Sequence, residues 1–258
     1  MIKPGICSVT FREKSPEDIV TLACGAGLAG VEWGADVHVP LGDPGNAKRI
    51  GGLTRSAGLE VAGFGSYFFA FEKEGEAPLP FEPVLEAAVA LSAPVIRIWG
   101  GSLLIEKSEA YFEAVVERSR DAAEAAAAVG IKVAYEFHAN TFTDTLNGAL
   151  ALLDAVGHPN LYTYWQPSHG SSLKQRLEEI AALNERLLNL HVFHWEFAEI
   201  PPYPRLPLAE GSELWKPCLS AADSLTDRFA LLEFVHNDDP EQFRQDAETL
   251  QVWMRELR

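Results

Sequence analysis

Residues 131–138 read Ile-Lys-Val-Ala-Tyr-Glu-Phe-His, an apolar segment that ends in two polar side chains, Glu136 and His138. It follows an alanine-rich helical segment over 108–129, for which Ser108 is the expected N-cap and Gly130 the helix stop. A helix followed at once by a short apolar strand is the repeating unit of α/β folds. The segment therefore predicts a buried strand over 132–138 in a sheet that is covered by helices.

The same alternation extends in both directions along the chain. Strands are predicted over 6–11, 30–33, 60–67, 95–99, 132–138, 161–166, 188–195 and 229–235. Helical segments separate them, and Ser15-Pro16 and Asp239-Pro240 supply an N-cap and a first-turn proline for two of these helices. Eight strand–helix units in 258 residues predict an α/β protein, a (β/α)8 TIM barrel with a single domain over 1–258. An open, doubly wound sheet is the alternative.

Composition excludes several classes of partner. The chain has 37 acidic and 21 basic residues, a formal net charge of −16, so no nucleic acid is expected as a partner. Its three cysteines form no Cys-x-x-Cys pair, which argues against a disulfide framework or a zinc knuckle. No signal-peptide pattern is present and no apolar run approaches the roughly 20 residues of a membrane span. A cytoplasmic protein without a membrane partner is expected.

Polar side chains accumulate where the later strands end. In chain order they are Arg97, Glu136, His138, Gln166, His191, His194 and Glu233. The carboxyl ends of barrel strands meet at one face, where the active sites of such barrels lie. Carboxylates on strands five and eight, an amide on strand six and a histidine on strand seven form a ligand set suited to one divalent metal, Mn, Mg, Co or Zn.

Arg97 and Trp99 lie on strand four beside this set. Arg97 has two interpretations that are compatible: a salt bridge to Glu136 that makes both burials tolerable, or a clamp for a substrate anion or carbonyl. Trp99 either caps the core or forms the wall of an apolar pocket. Glu136 and His138 are two residues apart and are expected on one face of their strand.

Five short motifs carry a resemblance to a known family. They are GVEW with Glu32, YEFHANTFTDT, YWQPSH, NLHVFHW and LLEFV, at 30–33, 135–145, 164–169, 189–195 and 231–235. In this order the chain resembles the xylose isomerase-like TIM barrel superfamily, in particular its sugar phosphate isomerase/epimerase branch. The resemblance implies one metal held by Glu136, residue 166, His191 and Glu233, and a substrate contact by His169. Gln166 departs from the aspartate that the resemblance implies, and its neutral amide predicts weaker metal binding.

The resulting hypothesis is a metal-dependent isomerase or epimerase that acts on a ketose or hydroxy-carbonyl sugar through an enediolate. Glu136 and Glu233 would transfer the proton. The substrate-binding residues would be Arg97, Trp99, His138, His169 and His194. Two alternatives stay open: an inosose-type dehydratase, and a non-catalytic sugar-binding barrel that has lost its metal. The expected partner is a small-molecule sugar substrate. A homodimer of this chain is the other association that the hypothesis includes.

Overall fold

The computed structural model describes residues 1–70, 79–103, 108–168, 170–183, 185–196, 203–222 and 227–257. In this part of the chain, parallel strands close into a barrel in chain order, and the last strand pairs with the first. The strands are β1 Ile2–Cys7, β2 Gly30–Gly34, β3 Glu60–Phe69, β4 Val95–Trp99, β5 Lys132–Tyr135, β6 Leu161–Trp165, β7 Leu187–Val192 and β8 Arg228–Leu232. The predicted (β/α)8 barrel is confirmed, and the doubly wound alternative is wrong.

Helices surround the barrel, one after each strand. Within the described ranges they are α1 Pro16–Gly25, α2 Pro44–Ser56, α3 Glu82–Leu91, α4 Glu109–Ala127, α5 Leu146–Val156, α6 Leu173–Leu183, α7 Ser212–Ala222 and α8 Pro240–Glu256. The predicted helix starts are confirmed, since Ser15 and Asp18 form a reciprocal capping box and the Asp239 side chain accepts from the backbone of Glu241. No helix in the described residues is long and apolar enough to cross a bilayer.

The first strand lies earlier than predicted. The prediction covered 6–11, whereas β1 is Ile2–Cys7 and Ser8–Phe11 forms a 3-10 helix. All four residues of this turn are buried, and the Phe11 ring packs edge-on against Phe243 at 5.6 Å. Val9 and Phe11 alternate with Ser8 and Thr10 as apolar and polar residues do in a strand, so periodicity alone could not separate this turn from a strand.

Strands β5, β7 and β8 end earlier than predicted, at Tyr135, Val192 and Leu232. The backbone N–H of Glu136 still donates to the carbonyl of Ile98 at 2.9 Å, and that of Glu233 to the carbonyl of Val192 at 3.0 Å. Each glutamate is therefore the first residue beyond its strand, and a backbone hydrogen bond fixes it at the rim of the barrel.

Glycines on β3 leave space for polar side chains inside the barrel. A Cβ atom on Gly63 would lie 2.5 Å from the Tyr164 hydroxyl, and one on Gly65 would lie 2.4 Å from Nη2 of Arg97. Arg97 is only 3% exposed. The missing side chains on β3 are therefore what allows a guanidinium to lie in the interior.

We predict that Gly65→Ala destabilises the protein by about 1–3 kcal/mol, because the new methyl group displaces the Arg97 guanidinium, which Glu32 and Glu136 bind. Gly52→Ala is the control: Gly52 lies inside α2, and its Cβ would meet no atom within 4 Å. The control should raise stability by about 0.5–1 kcal/mol. Urea unfolding measures both variants, and equal effects would contradict the proposed steric role of position 65.

Candidate functional site

A buried ion bridge forms the floor of the site. Nε of Arg97 donates to Oε1 of Glu32 at 2.9 Å, and its Nη1 donates to Oε2 of Glu136. All three side chains are at most 4% exposed. The indole N–H of Trp99 donates to the same Oε2. The salt bridge expected from the sequence is present, while a substrate-clamping role for Arg97 stays a prediction.

His191 brings the predicted metal ligands together. Its Nδ1 lies 3.0 Å from Oε1 of Gln166, 3.4 Å from Oε2 of Glu233 and 3.6 Å from Oε1 of Glu136. On the other side of the ring, Nε2 lies 3.4 Å from Oε1 of Glu32. Ligand atoms of Glu136, His191 and Glu233 all lie within 4.8 Å of one another. Strand β7 and the first residues after β5, β6 and β8 thus supply four groups that lie close together.

These residues fit a divalent cation in donor chemistry and in charge. Arg97 and Trp99 engage one oxygen of Glu136, so the other oxygen remains for a ligand bond. With His191 neutral, the carboxylates of Glu32, Glu136 and Glu233 and the guanidinium of Arg97 sum to −3 + 1 = −2. A buried charge of this size needs compensation, and one divalent cation supplies the two positive charges.

The shifted pKa values of the buried acids and of His191 indicate the same deficit of positive charge. Burial raises the pKa of Glu136, but the Arg97 guanidinium, His191 and His138 together outweigh it, and the pKa lies well below its ordinary value. Burial raises the pKa of Glu233, and the neighbouring Glu136 carboxylate adds to this increase. Burial opposes the protonation of His191, yet Cys7 and Glu233 hold its pKa well above the ordinary value. Protons at Glu233 and His191 can therefore supply the charge that a cation would supply.

A cavity of about 600 Å³ opens above this floor. Glu136, Gln166 and Glu233 line its base. Its walls are rich in aromatic rings, namely Tyr67, Trp99, Phe193, Trp195, Tyr203 and Phe234. A concave site with apolar walls and a few converging polar groups is typical of small-molecule binding.

The structure distributes the predicted substrate-binding residues unevenly. Arg97, Trp99 and His138 line the cavity, and the His138 ring packs against Trp99 at 5.4 Å. His138 follows the end of β5, so its position comes from the loop and not from the strand alternation on which the prediction relied. His194 lies outside this cavity, in a small neighbouring pocket beside Arg176. His169 lies outside the described residues.

Two residues of the site were not assigned a role from the sequence. Glu32 lies in the middle of β2 with a buried carboxylate, and an acid inside an apolar strand is the same kind of signal that identified Glu136. Arg12 lines the cavity and follows the first 3-10 turn. The strand predicted over 6–11 placed Arg12 directly after its end, but no local pattern distinguished this residue from a solvent-exposed arginine.

Comparisons with known proteins agree with this architecture. The sequence model of the xylose isomerase-like TIM barrel family matches residues 20–257. Among solved structures, the probable 3-DHS dehydratase AsbF from Bacillus anthracis is 21% identical, with a TM-score of 0.77, over 97% of this chain and 99% of that one. An L-ribulose 3-epimerase is 15% identical, with a TM-score of 0.70, over 100% and 96% of the two chains.

A D-psicose 3-epimerase from Clostridium cellulolyticum H10 is 16% identical, with a TM-score of 0.67, over 99% of each chain. At such identities the likeness to these structures shows the fold alone. No protein of curated function matches the chain.

We predict that Mn²⁺ binding releases protons, up to two per cation, and becomes tighter as the pH rises. The folded-state pKa values of His191 and Glu233 are raised, so both groups stay protonated at pH values above their ordinary pKa. At those pH values the bound protons compete with the cation. Calorimetric titration in two buffers of different ionisation enthalpy counts the protons. Glu233→Gln should reduce the count, and pH-independent binding without proton release would contradict the prediction.

We predict that Gln166→Glu binds Mn²⁺ about tenfold more tightly and is less stable without the cation. The variant adds a carboxylate next to Nδ1 of His191, where Gln166 now offers a neutral oxygen. Competition with a fluorescent chelator measures the affinity, and thermal unfolding measures the stability. Gln166→Ala is the control and should bind more weakly than the wild type; an equal affinity for all three proteins would show that residue 166 is not a ligand.

Proposed function

The chain belongs to the xylose isomerase-like TIM barrel family, and from this premise we propose that it is an isomerase or epimerase of hydroxy-carbonyl sugars that depends on one divalent cation. The observation that carries the proposal is that three oxygen atoms, from Glu136, Gln166 and Glu233, converge on Nδ1 of His191, the fourth potential ligand. Glu136, Gln166, His191 and Glu233 would hold the cation. When bound, it supplies Lewis acidity that polarises a carbonyl and a neighbouring hydroxyl.

The two rim glutamates would move the proton. Arg97 and Trp99 hold one oxygen of Glu136, which fixes the carboxylate and directs the other oxygen towards the cluster. Glu233 approaches from β8. One carboxylate removes the proton next to the substrate carbonyl and the other returns it, which converts the substrate through an enediolate. The aromatic walls limit the access of water to this intermediate.

A dehydratase is the second candidate, and His138 is the observation that favours it. The ring lies at the cavity wall, and its Nδ1 donates to the carbonyl of Ala139 at 2.9 Å when it carries the proton. A protonated His138 could give a proton to a departing hydroxyl after the same initial proton removal. One solved structure with this fold is described as a probable dehydratase, and two others are 3-epimerases.

We predict that the Mn²⁺-loaded protein, incubated with a panel of ketoses and cyclic hydroxyketones in D₂O, incorporates deuterium at the carbon next to the carbonyl. Glu136→Gln and Glu233→Gln should each slow this exchange about 10²–10⁴-fold, because each removes one proton-transfer group. Glu179→Gln is the control. Glu179 is also buried, but it accepts from the indole of Trp165, away from the cavity.

The product identifies the reaction. An isomer or epimer that carries deuterium supports the first candidate, and an unsaturated ketone that has lost a hydroxyl supports the dehydratase. Absence of exchange on the whole panel, together with unchanged sugar binding in both glutamine variants, would reject an enzyme and favour the non-catalytic sugar-binding barrel.

A further inference from the structure

We propose that Arg12 recognises a carboxylate on the substrate, so that the cavity accepts an acidic hydroxy-carbonyl compound in preference to a neutral sugar. The hydroxy-carbonyl half of this inference rests on the proposed function. The carboxylate half rests on Arg12 itself, which lines the same cavity as Glu136 and Glu233.

Protein contacts hold the Arg12 guanidinium in one orientation. Its Nε donates to Oδ2 of Asp36 at 2.7 Å, its Nη1 to the carbonyl of Val9 at 3.3 Å, and its Nη2 to the hydroxyl of Tyr67 at 2.9 Å. Its plane lies against the Phe234 ring at 5.5 Å. An arginine has five N–H groups, so two are left for a ligand after these contacts with the described residues. A positioned, partly free guanidinium loses little entropy when it binds an anion.

Among the arginines and lysines of the described residues, Arg12 is the one in this cavity that a substrate can reach. Arg97, the other arginine that lines it, is 3% exposed and is engaged by two carboxylates. The Arg12 side chain is 40% exposed. Since the whole chain carries −16, an acidic substrate needs a local cation to enter, and Arg12 supplies it.

The contacts of Arg12 connect it with the floor of the site. Tyr67, which accepts from Arg12, adopts a left-handed backbone with φ of 56° and packs against Trp99 at 5.1 Å. Trp99 in turn donates to Glu136. A strained residue at a cavity wall is maintained by its surroundings, and Arg12 is one of these. The anion-binding group and the proposed proton-transfer group thus belong to one packed wall.

A carboxylate fits these two N–H groups better than a phosphate does. Asp36 already neutralises part of the Arg12 charge, and no lysine lines this cavity among the described residues. A monoanion with two oxygens in one plane matches a guanidinium fork, whereas a dianionic phosphate requires more donors.

Arg205 provides a matched control. Its guanidinium also lies against the Phe234 ring, at 4.7 Å, and also pairs with an aspartate, Asp238. It lines a neighbouring cavity with Arg12 and Phe234, and not the one that contains Glu136 and Glu233.

The test uses two probes that differ by one carboxylate, 3,4-dihydroxybenzoate and catechol, whose vicinal hydroxyls are the same. Calorimetry with the full chain, with and without Mg²⁺, gives the affinity ratio of acid to neutral probe. We expect a ratio of at least ten in the wild type, a ratio near one in Arg12→Gln through loss of acid binding, and an unchanged ratio in Arg205→Gln. Arg12→Lys, which keeps the charge without the fork, should be intermediate and serves if Arg12→Gln does not fold.

Three results would each overturn the proposal. The wild type could bind the two probes equally, Arg12→Gln could lose both probes equally, or Arg205→Gln could also lower the ratio to near one. If inorganic phosphate displaces 3,4-dihydroxybenzoate at a lower concentration than acetate does, Arg12 prefers a phosphate to a carboxylate. This result would also overturn the proposal. Because the readout is binding, a protein without turnover that retains the Arg12-dependent ratio would contradict the proposed function and not this inference.

Discussion

The bridge that Arg97 makes between Glu32 and Glu136 is the interaction on which the site depends. Burying three ionised groups is costly, and the loss of one partner from such a bridge costs about 3–5 kcal/mol, because it leaves an unpaired charge in the interior. The bridge also fixes the site, since it binds one oxygen of Glu136 and leaves the other facing His191 and Glu233. One contact therefore makes the buried acid tolerable and sets its orientation.

The barrel accommodates this bridge through small residues at defined positions. Gly65 leaves room for the guanidinium, and Gly63 leaves room for the Tyr164 hydroxyl, which accepts from Asn189 at 2.8 Å. Below this polar column, apolar side chains fill the interior. The low polarity of these apolar side chains beneath the site strengthens the mutual interactions of its polar groups.

The sequence predicts the barrel well because alternating strands and helices repeat along the whole chain, and several of the helices have recognisable start or stop signals. It also predicts Glu136 as part of a site, because a carboxylate at the end of an apolar strand requires a partner. It fails where the information is tertiary. The turn of Ser8–Phe11 has the apolar–polar alternation of a strand, so the first strand was misplaced. Arg12 obtains its role from neighbours that are distant in sequence, which no local pattern encodes. Glu32 did carry a local signal, a carboxylate inside an apolar strand, but its partner Arg97 is also distant in sequence.

Gln166 departs from the aspartate that the resemblance to the family implies, and charge balance shows that this departure need not mean lost chemistry. An aspartate at this position would give the buried cluster four carboxylates against one guanidinium, and a divalent cation would then leave it with a net charge of −1. With the amide, the three carboxylates, Arg97 and a divalent cation sum to zero. The amide oxygen still faces the same point as the other ligand atoms, 3.0 Å from Nδ1 of His191. Because Glu32 adds a carboxylate beneath the site, a neutral residue at 166 is the choice that balances a divalent cation in a buried setting.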